Sequence, residues 1–177
     1  MTSVAIKKKL TIMAILKKLQ NIPSISKFLF NHYPPYRGAG IHIEVMNLEL
    51  CHVRVKMPLT WKNQNLVGTH FGGSLYSMVD PFYMLILMHH LGSKYIVWDK
   101  AAEINFLSPG RSTVYADIRV DLAEIEQIRE LAENYAPVLR TYHLNIFDES
   151  GVRIAEVQKT LYIRRKKAKP STNKISA

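Results

Sequence analysis

The sequence of 177 residues contains a single cysteine, Cys51, which excludes an intrachain disulfide framework. A lone thiol is consistent with a reducing compartment, so we expect a cytoplasmic protein. Cys51 lies in phase with Val53, Val55 and Met57, with polar residues between them. This alternation predicts a small core residue rather than a nucleophile.

The chain also lacks a Ser-His-Asp pattern, a phosphate-binding glycine loop and the ligand spacing of a zinc site. The pair His89-His90 has no carboxylate partner at ligand spacing, and near a helix end it favours the helix dipole instead. We therefore expect no bound metal.

Acidic residues are absent from both ends of the chain, although the net charge of the whole is +10. Residues 1–31 hold six lysines and residues 164–177 hold six basic residues. Residues 32–163 carry 12 basic and 14 acidic residues, a net of −2. No interleaved basic and aromatic surface occurs there, so a nucleic-acid-binding domain is not expected. The basic ends predict weak contact with an anionic membrane surface at most.

A membrane-spanning run is missing too. The nearest candidate, Gly72–Leu91, has about 20 residues and would reach about 30 Å as a helix. Its first half is too polar for a span, because it contains Gly72, Gly73, Ser74, Ser77, Asp80 and Pro81. Since its apolar residues fall on every side, the stretch predicts a central helix that the rest of the protein buries.

The N-terminal residues 4–31 place apolar side chains at helical spacing with lysines between them, which predicts one or two short amphipathic helices broken at Pro23. A signal peptide is disfavoured, because Lys17 and Lys18 end the apolar run and no small-residue cleavage site follows. We expect this segment to lie on the body of the protein or on a membrane surface. Residues 33–38 predict a linker or turn.

From residue 40 the apolar pattern has a period of two, which is typical of strands. In the first strand Ile41, Ile43 and Val45 share one face. The remaining predicted elements are strands within residues 51–57, 95–107, 114–120, 140–148 and 152–164, and a helix within 122–135. Residues 148–151 predict a hairpin turn between the last two strands.

This order predicts an α+β fold, in which one antiparallel sheet is wrapped around one long central helix and an N-terminal helical segment is added. We expect a basic helical extension and linker at residues 1–36, the folded domain at residues 37–165 and a basic disordered tail at residues 166–177. The helix uses one face of the sheet, so the other face favours self-association as a dimer or tetramer.

The stretch from Asn65 through Gly72-Gly73 to Asp80 resembles the signature of phenylacetyl-CoA-type hotdog thioesterases, and of a less characterised bacterial branch of that superfamily. The family has an Asn, then His-Gly-Gly at the helix start, then an Asp or Glu two turns into the helix. One position departs from it: Phe71 stands where the family has His, and His70 comes one place early. The strand order extends the resemblance over residues 40–164, and it implies the hotdog fold.

The chemistry of a thioesterase can be matched to these residues. Hydrolysis needs a site for oxyanion charge and a group that activates water or attacks the carbonyl. Helix N-terminal amides are unpaired and lie at the positive end of the dipole, and Gly72 lets a ligand approach them. Asp80 lies about 12 Å further along the helix and about 80° around it. Asp80 therefore meets Gly72 more naturally across a two-fold axis, and the resemblance likewise implies active sites at a dimer interface.

The resemblance implies Asp80 as general base or nucleophile, with Gly72 and Gly73 as the oxyanion site. Asn65 orients water or the carbonyl, and Ser77 or Ser74 assists. The expected substrate-binding residues are His70, Phe71, Ser74, Lys100 and Arg111, of which Lys100 and Arg111 are candidates for coenzyme A phosphates. Coenzyme A enters only as part of the substrate, and we expect no other cofactor.

Each of these residues also has a structural alternative. Asp80 before Pro81 is typical of a helix N-cap, and Gly72-Gly73 of close helix packing. Serines in helices bond back to the backbone, and Asn65 in a polar loop is typical of a turn.

We predict an acyl-CoA thioesterase acting through Asp80. The alternatives are a non-catalytic acyl-CoA or fatty-acyl binding protein with the same pocket, a dehydratase or hydratase, and a membrane- or nucleic-acid-associated protein acting through its basic ends. A dehydratase should need a basic His, and Phe71 argues against it.

Overall fold

The computed structural model describes residues 23–167. Five helices lie in this range: α1 (Pro23–Asn31), α2 (Pro34–Ala39), α3 (Gly72–Ser77), α4 (Phe82–Leu91) and α5 (Leu122–Leu131). Six strands accompany them: β1 (His42–Asn47), β2 (His52–Met57), β3 (Tyr95–Phe106), β4 (Val114–Arg119), β5 (Val138–Asp148) and β6 (Arg153–Arg165). The predicted α+β order, with two strands, a helical stretch and four more strands, is confirmed.

The strands form one antiparallel sheet in the order β1-β2-β4-β5-β6-β3. Strand β2 buries Val53, Val55 and Met57, and β4 buries Val114, Ala116 and Ile118, in the predicted period of two. The longest pairing joins β6 to both β5 and β3. Strand β3 pairs with β6 alone, so its other edge is unpaired within the described chain and most of its side chains are exposed.

The predicted central helix, Gly72–Leu91, is present as α3 followed directly by α4. Residues 78–81 form turns between them, and Met78 and Pro81 keep right-handed helical dihedral angles. Pro81 has no N–H to donate, which interrupts the hydrogen-bond ladder at this point. In α4 the buried residues cover about half of the circumference: Phe82, Tyr83, Ile86, Leu87 and Leu91. Met88 is 48% exposed, so within one chain the burial expected on every side of this helix is incomplete. The interruption places Asp80 in the turn at the middle of the core helix.

Strand β1 departs from the predicted alternation. Ile43 pairs with Val55 and Val45 pairs with Arg54, so Glu44 is the extra residue of a β-bulge. The bulge turns Met46, at 3% exposure, into the core, whereas Val45 is only half-buried. The prediction that Val45 shares the buried face was wrong, because an inserted residue reverses the side of every residue that follows it.

The predicted linker at residues 33–38 was also wrong. Residues 34–39 form α2, and Tyr36 is 3% exposed in the core. The rings of Phe30 and Tyr36 lie 6.0 Å and 6.3 Å from the ring of Phe82 on the central helix. The consecutive prolines Pro34-Pro35 begin the helix rather than prevent one, since the first turn needs no intrahelical N–H donor.

Helix α1 is fastened to the sheet at β1. Asn31 accepts a hydrogen bond from the Ile43 amide at 2.7 Å and donates one to the Ile43 carbonyl. Lys27 donates to the Glu44 carbonyl at the bulge. A helix is thus present from Pro23 to Asn31, and the apolar residues that predict an amphipathic helix before Pro23 lie outside the described residues. The predicted basic tail also falls outside them, apart from its first residues.

None of the helices within residues 23–167 is long and apolar enough to cross a membrane. The division into extension, folded domain and tail stays a prediction.

Phe82 provides a test of the aromatic core. Phe82→Ala should lower the free energy of unfolding by about 3–5 kcal/mol, because the ring is fully buried and packs against Phe30 of α1 and Tyr36 of α2. Leu66→Ala is the control, since Leu66 is exposed and should change stability by less than about 0.5 kcal/mol. Urea denaturation measures both. A cost below about 1 kcal/mol for Phe82→Ala would contradict this packing.

Candidate active site

Asp80 lies at the centre of a charged cluster built from three elements. Its Oδ1 accepts hydrogen bonds from the Tyr76 hydroxyl at 2.6 Å and from Lys159 Nζ at 2.5 Å. Lys159 Nζ also donates to the Tyr76 hydroxyl at 2.8 Å and pairs with Asp99 Oδ2 at 2.9 Å. Tyr76 precedes Asp80 by four residues, so both project from the same face of the central helix. The cluster holds one carboxylate oxygen firmly and leaves Asp80 Oδ2 without a partner in the described chain.

Lys159 is 2% exposed, although it carries an ammonium group. Burial lowers its pKa, but the hydrogen bonds to Asp80, Tyr76 and Asp99 outweigh that effect, and the pKa is raised overall. The side chain therefore keeps its proton. A buried ammonium is tolerated here because two carboxylates compensate it.

Sequence reasoning missed Lys159, Tyr76 and Asp99. A signal for Lys159 was present: on β6 it lies in phase with Val157 and Leu161, which are both buried. A lysine in the inward phase of an apolar strand needs a carboxylate partner. Asp99 reaches it because it lies opposite Leu161 on the same face of the sheet.

A cavity of about 490 Å³ opens beside Asp80. Helices α1 and α2 form one wall and the central helix forms the other, and the apolar lining includes Leu29, Phe30, Pro35 and Leu85. Tyr36, Tyr76 and Ser77 line the same space. A carboxylate beside an apolar cavity of this size is typical of a site for a small molecule with an apolar part.

A second cavity, of about 440 Å³, lies at the start of the central helix. Asn65, His70 and Gly72 line it, together with Phe106. Gly72 and Asp80 thus line different cavities of one chain. This separation agrees with the distance expected along the helix, and one chain does not bring the two predicted catalytic positions to a common point.

Asn65 organises the loop that leads to the helix. Its Oδ1 accepts hydrogen bonds from the amides of Val67 and Thr69, and its Nδ2 donates to Thr69 Oγ1 at 2.8 Å. These contacts are those of a residue that shapes a turn, the structural alternative for Asn65.

His70, which follows this loop, is 3% exposed, and its Nε2 lies 2.9 Å from the Ser112 carbonyl. Burial lowers the pKa of His70, so its ring is neutral and Nδ1 is a buried acceptor without a partner in residues 23–167.

Each of the two glycines at the helix start lies against an aromatic ring. A Cβ on Gly72 would lie 2.7 Å from the Phe106 ring, and a Cβ on Gly73 would lie 2.5 Å from the Phe71 ring. Close packing, the structural alternative, therefore applies. The amides of Gly72 and Gly73 nevertheless have no acceptor among the described residues, as expected for the first turn of a helix.

The remaining predicted site residues are two serines of the central helix, the phenylalanine before it and two surface cations. Ser77 Oγ donates to the Gly73 carbonyl at 2.8 Å, the backbone contact of the alternative reading, and Ser74 is buried. Phe71 is 57% exposed at the helix start. Lys100 is exposed at a bulge of β3, and Arg111 is exposed after Gly110, which lines the second cavity.

The contacts decide whether Asp80 caps a helix, whether Cys51 is a core residue and what His90 binds. Asp80 does not cap α4, since its hydrogen bonds go to Tyr76 and Lys159 and the capping position is Pro81. Cys51 is 1% exposed, which confirms a core residue. His90 Nε2 lies 2.8 Å from the Leu48 carbonyl and 3.1 Å from Cys51 Sγ. No group of three or more His, Cys, Asp or Glu side chains within residues 23–167 is placed to hold a metal ion.

A comparison with models of protein families shows which family this chain belongs to. A family model described as a domain of unknown function, DUF4442, matches residues 23–163. This chain belongs to the DUF4442 family. The match begins at α1, so the family pattern includes the helices that wall the cavity beside Asp80. No curated protein matches the chain in sequence.

Solved structures show what this DUF4442 domain resembles in three dimensions. A Pseudomonas aeruginosa protein of unknown function, described as a probable thioesterase, is 21% identical with a TM-score of 0.70, over 82% of this chain and 99% of that one. A Haemophilus influenzae thioesterase is 17% identical with a TM-score of 0.60, over 80% and 90%. A Chlorobaculum tepidum protein of unknown function is 16% identical with a TM-score of 0.65, over 83% and 99%. At these identities the likeness shows the fold, and the predicted hotdog fold is confirmed.

Lys159→Met tests the charged cluster. The substitution leaves Asp80 and Asp99 facing each other without a cation, and both are partly exposed, so it should cost about 1–3 kcal/mol of stability at pH 7. The pKa of Lys159 is raised above its ordinary 10.5, so its contribution is complete below pH 10.5 and is lost as the pH rises through the folded value.

The difference in unfolding free energy between wild type and Lys159→Met should therefore be constant up to pH 10.5 and shrink above it. Urea denaturation across this range measures it, with Lys100→Met as an exposed control. A Met variant as stable as wild type at pH 7 would contradict the role assigned to Lys159.

Proposed function

We propose that this DUF4442 protein hydrolyses an acyl-CoA, or a related acyl thioester, to a free acid and a thiol. The observation that carries the proposal is the carboxylate of Asp80, which is fixed at one oxygen and free at the other beside an apolar cavity. The names of the structural relatives support it, since two of those above are described as a thioesterase or a probable thioesterase. The motif resemblance to phenylacetyl-CoA-type thioesterases supports the same class.

Asp80 activates water or attacks the carbonyl itself. Tyr76 and Lys159 hold Oδ1, and Oδ2 is left to take a proton from water or to bond to the carbonyl carbon. In the water route the oxygen of water adds to the carbonyl, the carbon–sulfur bond breaks and the thiol leaves with the proton. In the covalent route water then hydrolyses the acyl-aspartate. Ser77 borders the same cavity, and we keep it as a helper in positioning water.

The oxyanion charge is assigned to the amides of Gly72 and Gly73. Because Gly72 opens to another cavity than Asp80, we propose that Gly72 of one subunit faces Asp80 of the other in a homodimer. The long unpaired edge of β3 supports self-association, since an exposed edge strand is a template for pairing with a second chain. A tetramer of such dimers is also compatible with this edge.

Substrate contacts are proposed at the start of the helix. Asn65, His70, Phe71 and Ser74 surround the first turn, where the thioester would lie. Lys100 and Arg111 are exposed cations available for the phosphates of coenzyme A. Membrane contact through the basic ends and a cytoplasmic location stay predictions.

A non-catalytic acyl-CoA-binding protein is the second candidate. Two observations favour it: Phe71 occupies the position of the family His, and Asp80 Oδ1 is already paired with the buried ammonium of Lys159. Such a protein would use the same cavity and release no thiol.

Thiol release from a panel of acyl-CoAs, short to long and aromatic, tests the proposal. Asp80→Asn should lower turnover at least about 100-fold, because the amide neither accepts the proton nor attacks. Asp117→Asn is the matched control, since Asp117 is a surface carboxylate paired with Arg119. No turnover on any acyl-CoA, with tight binding by both wild type and Asp80→Asn, would instead establish the binding protein.

Shared sites can be tested by complementation. Gly72→Val, which the Phe106 ring opposes, and Asp80→Asn should each be inactive alone. Co-expressed, they should recover about a quarter of wild-type turnover, because half of the dimers are mixed and each mixed dimer has one intact site. Mixed dimers isolated through two affinity tags that remain inactive would overturn the two-subunit site.

A further inference from the structure

Helix α1 presents apolar side chains to solvent. Ile25, Phe28 and Leu29 share one face of the helix, at the spacing i, i+3 and i+4. Phe28 is 59% exposed and Leu29 is 39% exposed, and Tyr33, just after the helix, is 50% exposed. We call Phe28, Leu29 and Tyr33 the α1 patch. Adjacent exposed apolar side chains of this kind are typical of a surface that contacts another apolar phase.

The side of α1 that faces the sheet is more polar than the patch. Lys27 and Asn31 lie one turn apart on that side, and both form hydrogen bonds to the backbone of β1. Phe30 is the aromatic residue of α1 that reaches the core. A surface helix normally turns its apolar stripe to the core and its polar residues to water. Since α1 places polar side chains on the sheet, packing within residues 23–167 does not account for the patch.

The surroundings of the α1 patch are basic. Seven basic residues and no acidic one precede Glu44 in the chain. Five of the seven come before α1, and the other two, Lys27 and Arg37, lie in α1 and α2. Glu44 itself is paired with Arg54 and Lys56. An apolar patch among cations is complementary to a membrane interface of anionic lipids, which offers hydrocarbon beneath negatively charged head groups.

We propose that the α1 patch docks on an anionic lipid surface. Phe28, Leu29 and Tyr33 enter the interfacial layer, where leucine and aromatic side chains are favoured. Lys27, Arg37 and the lysines before α1 remain at the level of the lipid phosphates, which they attract. Docking of this kind is peripheral, and it uses a folded helix of the body in addition to the charge of the N-terminal end.

This orientation places the opening of the cavity beside Asp80 against the lipid. Leu29 and Tyr33 line that cavity and also belong to the exposed patch. A ligand with an apolar tail therefore passes between the lipid and the cavity without crossing bulk water. That this ligand is an acyl thioester rests on the proposed function, whereas docking itself does not.

Vesicle flotation of the full-length protein tests the docking. The probes are phosphatidylcholine vesicles with about 30% phosphatidylserine and vesicles of phosphatidylcholine alone. Wild type should bind the mixed vesicles about tenfold more tightly than the neutral ones, and added salt should weaken this binding. The double variant Phe28→Gln/Leu29→Gln should bind the mixed vesicles about tenfold more weakly than wild type, because its patch no longer enters the interface.

The double variant Leu122→Gln/Leu131→Gln is the matched control. Both leucines lie on α5, and at 55% and 52% they are about as exposed as Phe28. Their helix carries three glutamates, so it should avoid anionic lipid. This variant should bind the mixed vesicles as wild type does. Circular dichroism and light scattering should show wild-type helix content and oligomer size for both double variants.

Three results would overturn the inference. Equal binding to mixed and neutral vesicles, or binding to neither, would remove the role of anionic lipid. Wild-type binding by Phe28→Gln/Leu29→Gln would assign the lipid contact to residues 1–22 alone. A smaller oligomer in that variant would show that a second copy of the chain covers the patch.

The docking and the proposed hydrolysis fail separately. Vesicle binding without thiol release from any acyl-CoA overturns the hydrolysis and leaves the docking standing. Thiol release without vesicle binding does the reverse.

Discussion

The fold depends on the need to cover a helix that is apolar on all sides. A sheet can cover only one side of α4, so a second layer has to cover another, although Met88 stays 48% exposed. Helices α1 and α2 supply it, and their rings at Phe30 and Tyr36 meet Phe82 at about 6 Å. The same two helices wall the cavity beside Asp80. Core formation and pocket formation are therefore one packing event, and the segment before the first strand belongs to both.

Much of the fold could be predicted, because strand alternation and an all-apolar helix are local and strong signals. The second and fourth strands keep a strict period of two, and their alternate apolar residues are buried as that period predicts. The failures have a different origin. The bulge at Glu44 depends on its partner strand and on Lys27, which no local pattern records. The proline-rich residues 33–38 are typical of a turn, yet Tyr36 packs against Phe82 in the core, and this tertiary contact stabilises a helix there.

The candidate site likewise contains residues that the sequence could predict and residues that it could not. Asp80, Gly72 and Asn65 lie in one continuous stretch whose spacing resembles a known family, so sequence alone could name them. Lys159 lies 79 residues after Asp80, and the folding of the sheet around the central helix brings the two together. Contacts between distant segments are the part of a site that spacing does not encode.

The single ammonium of Lys159 joins the central helix to the edge strand. The three N–H groups of the ammonium suffice for Asp80, Asp99 and the Tyr76 hydroxyl together. One nitrogen therefore fixes a carboxylate of the cavity wall and a carboxylate of the edge strand at once. Loss of either carboxylate would leave the same buried charge less well compensated.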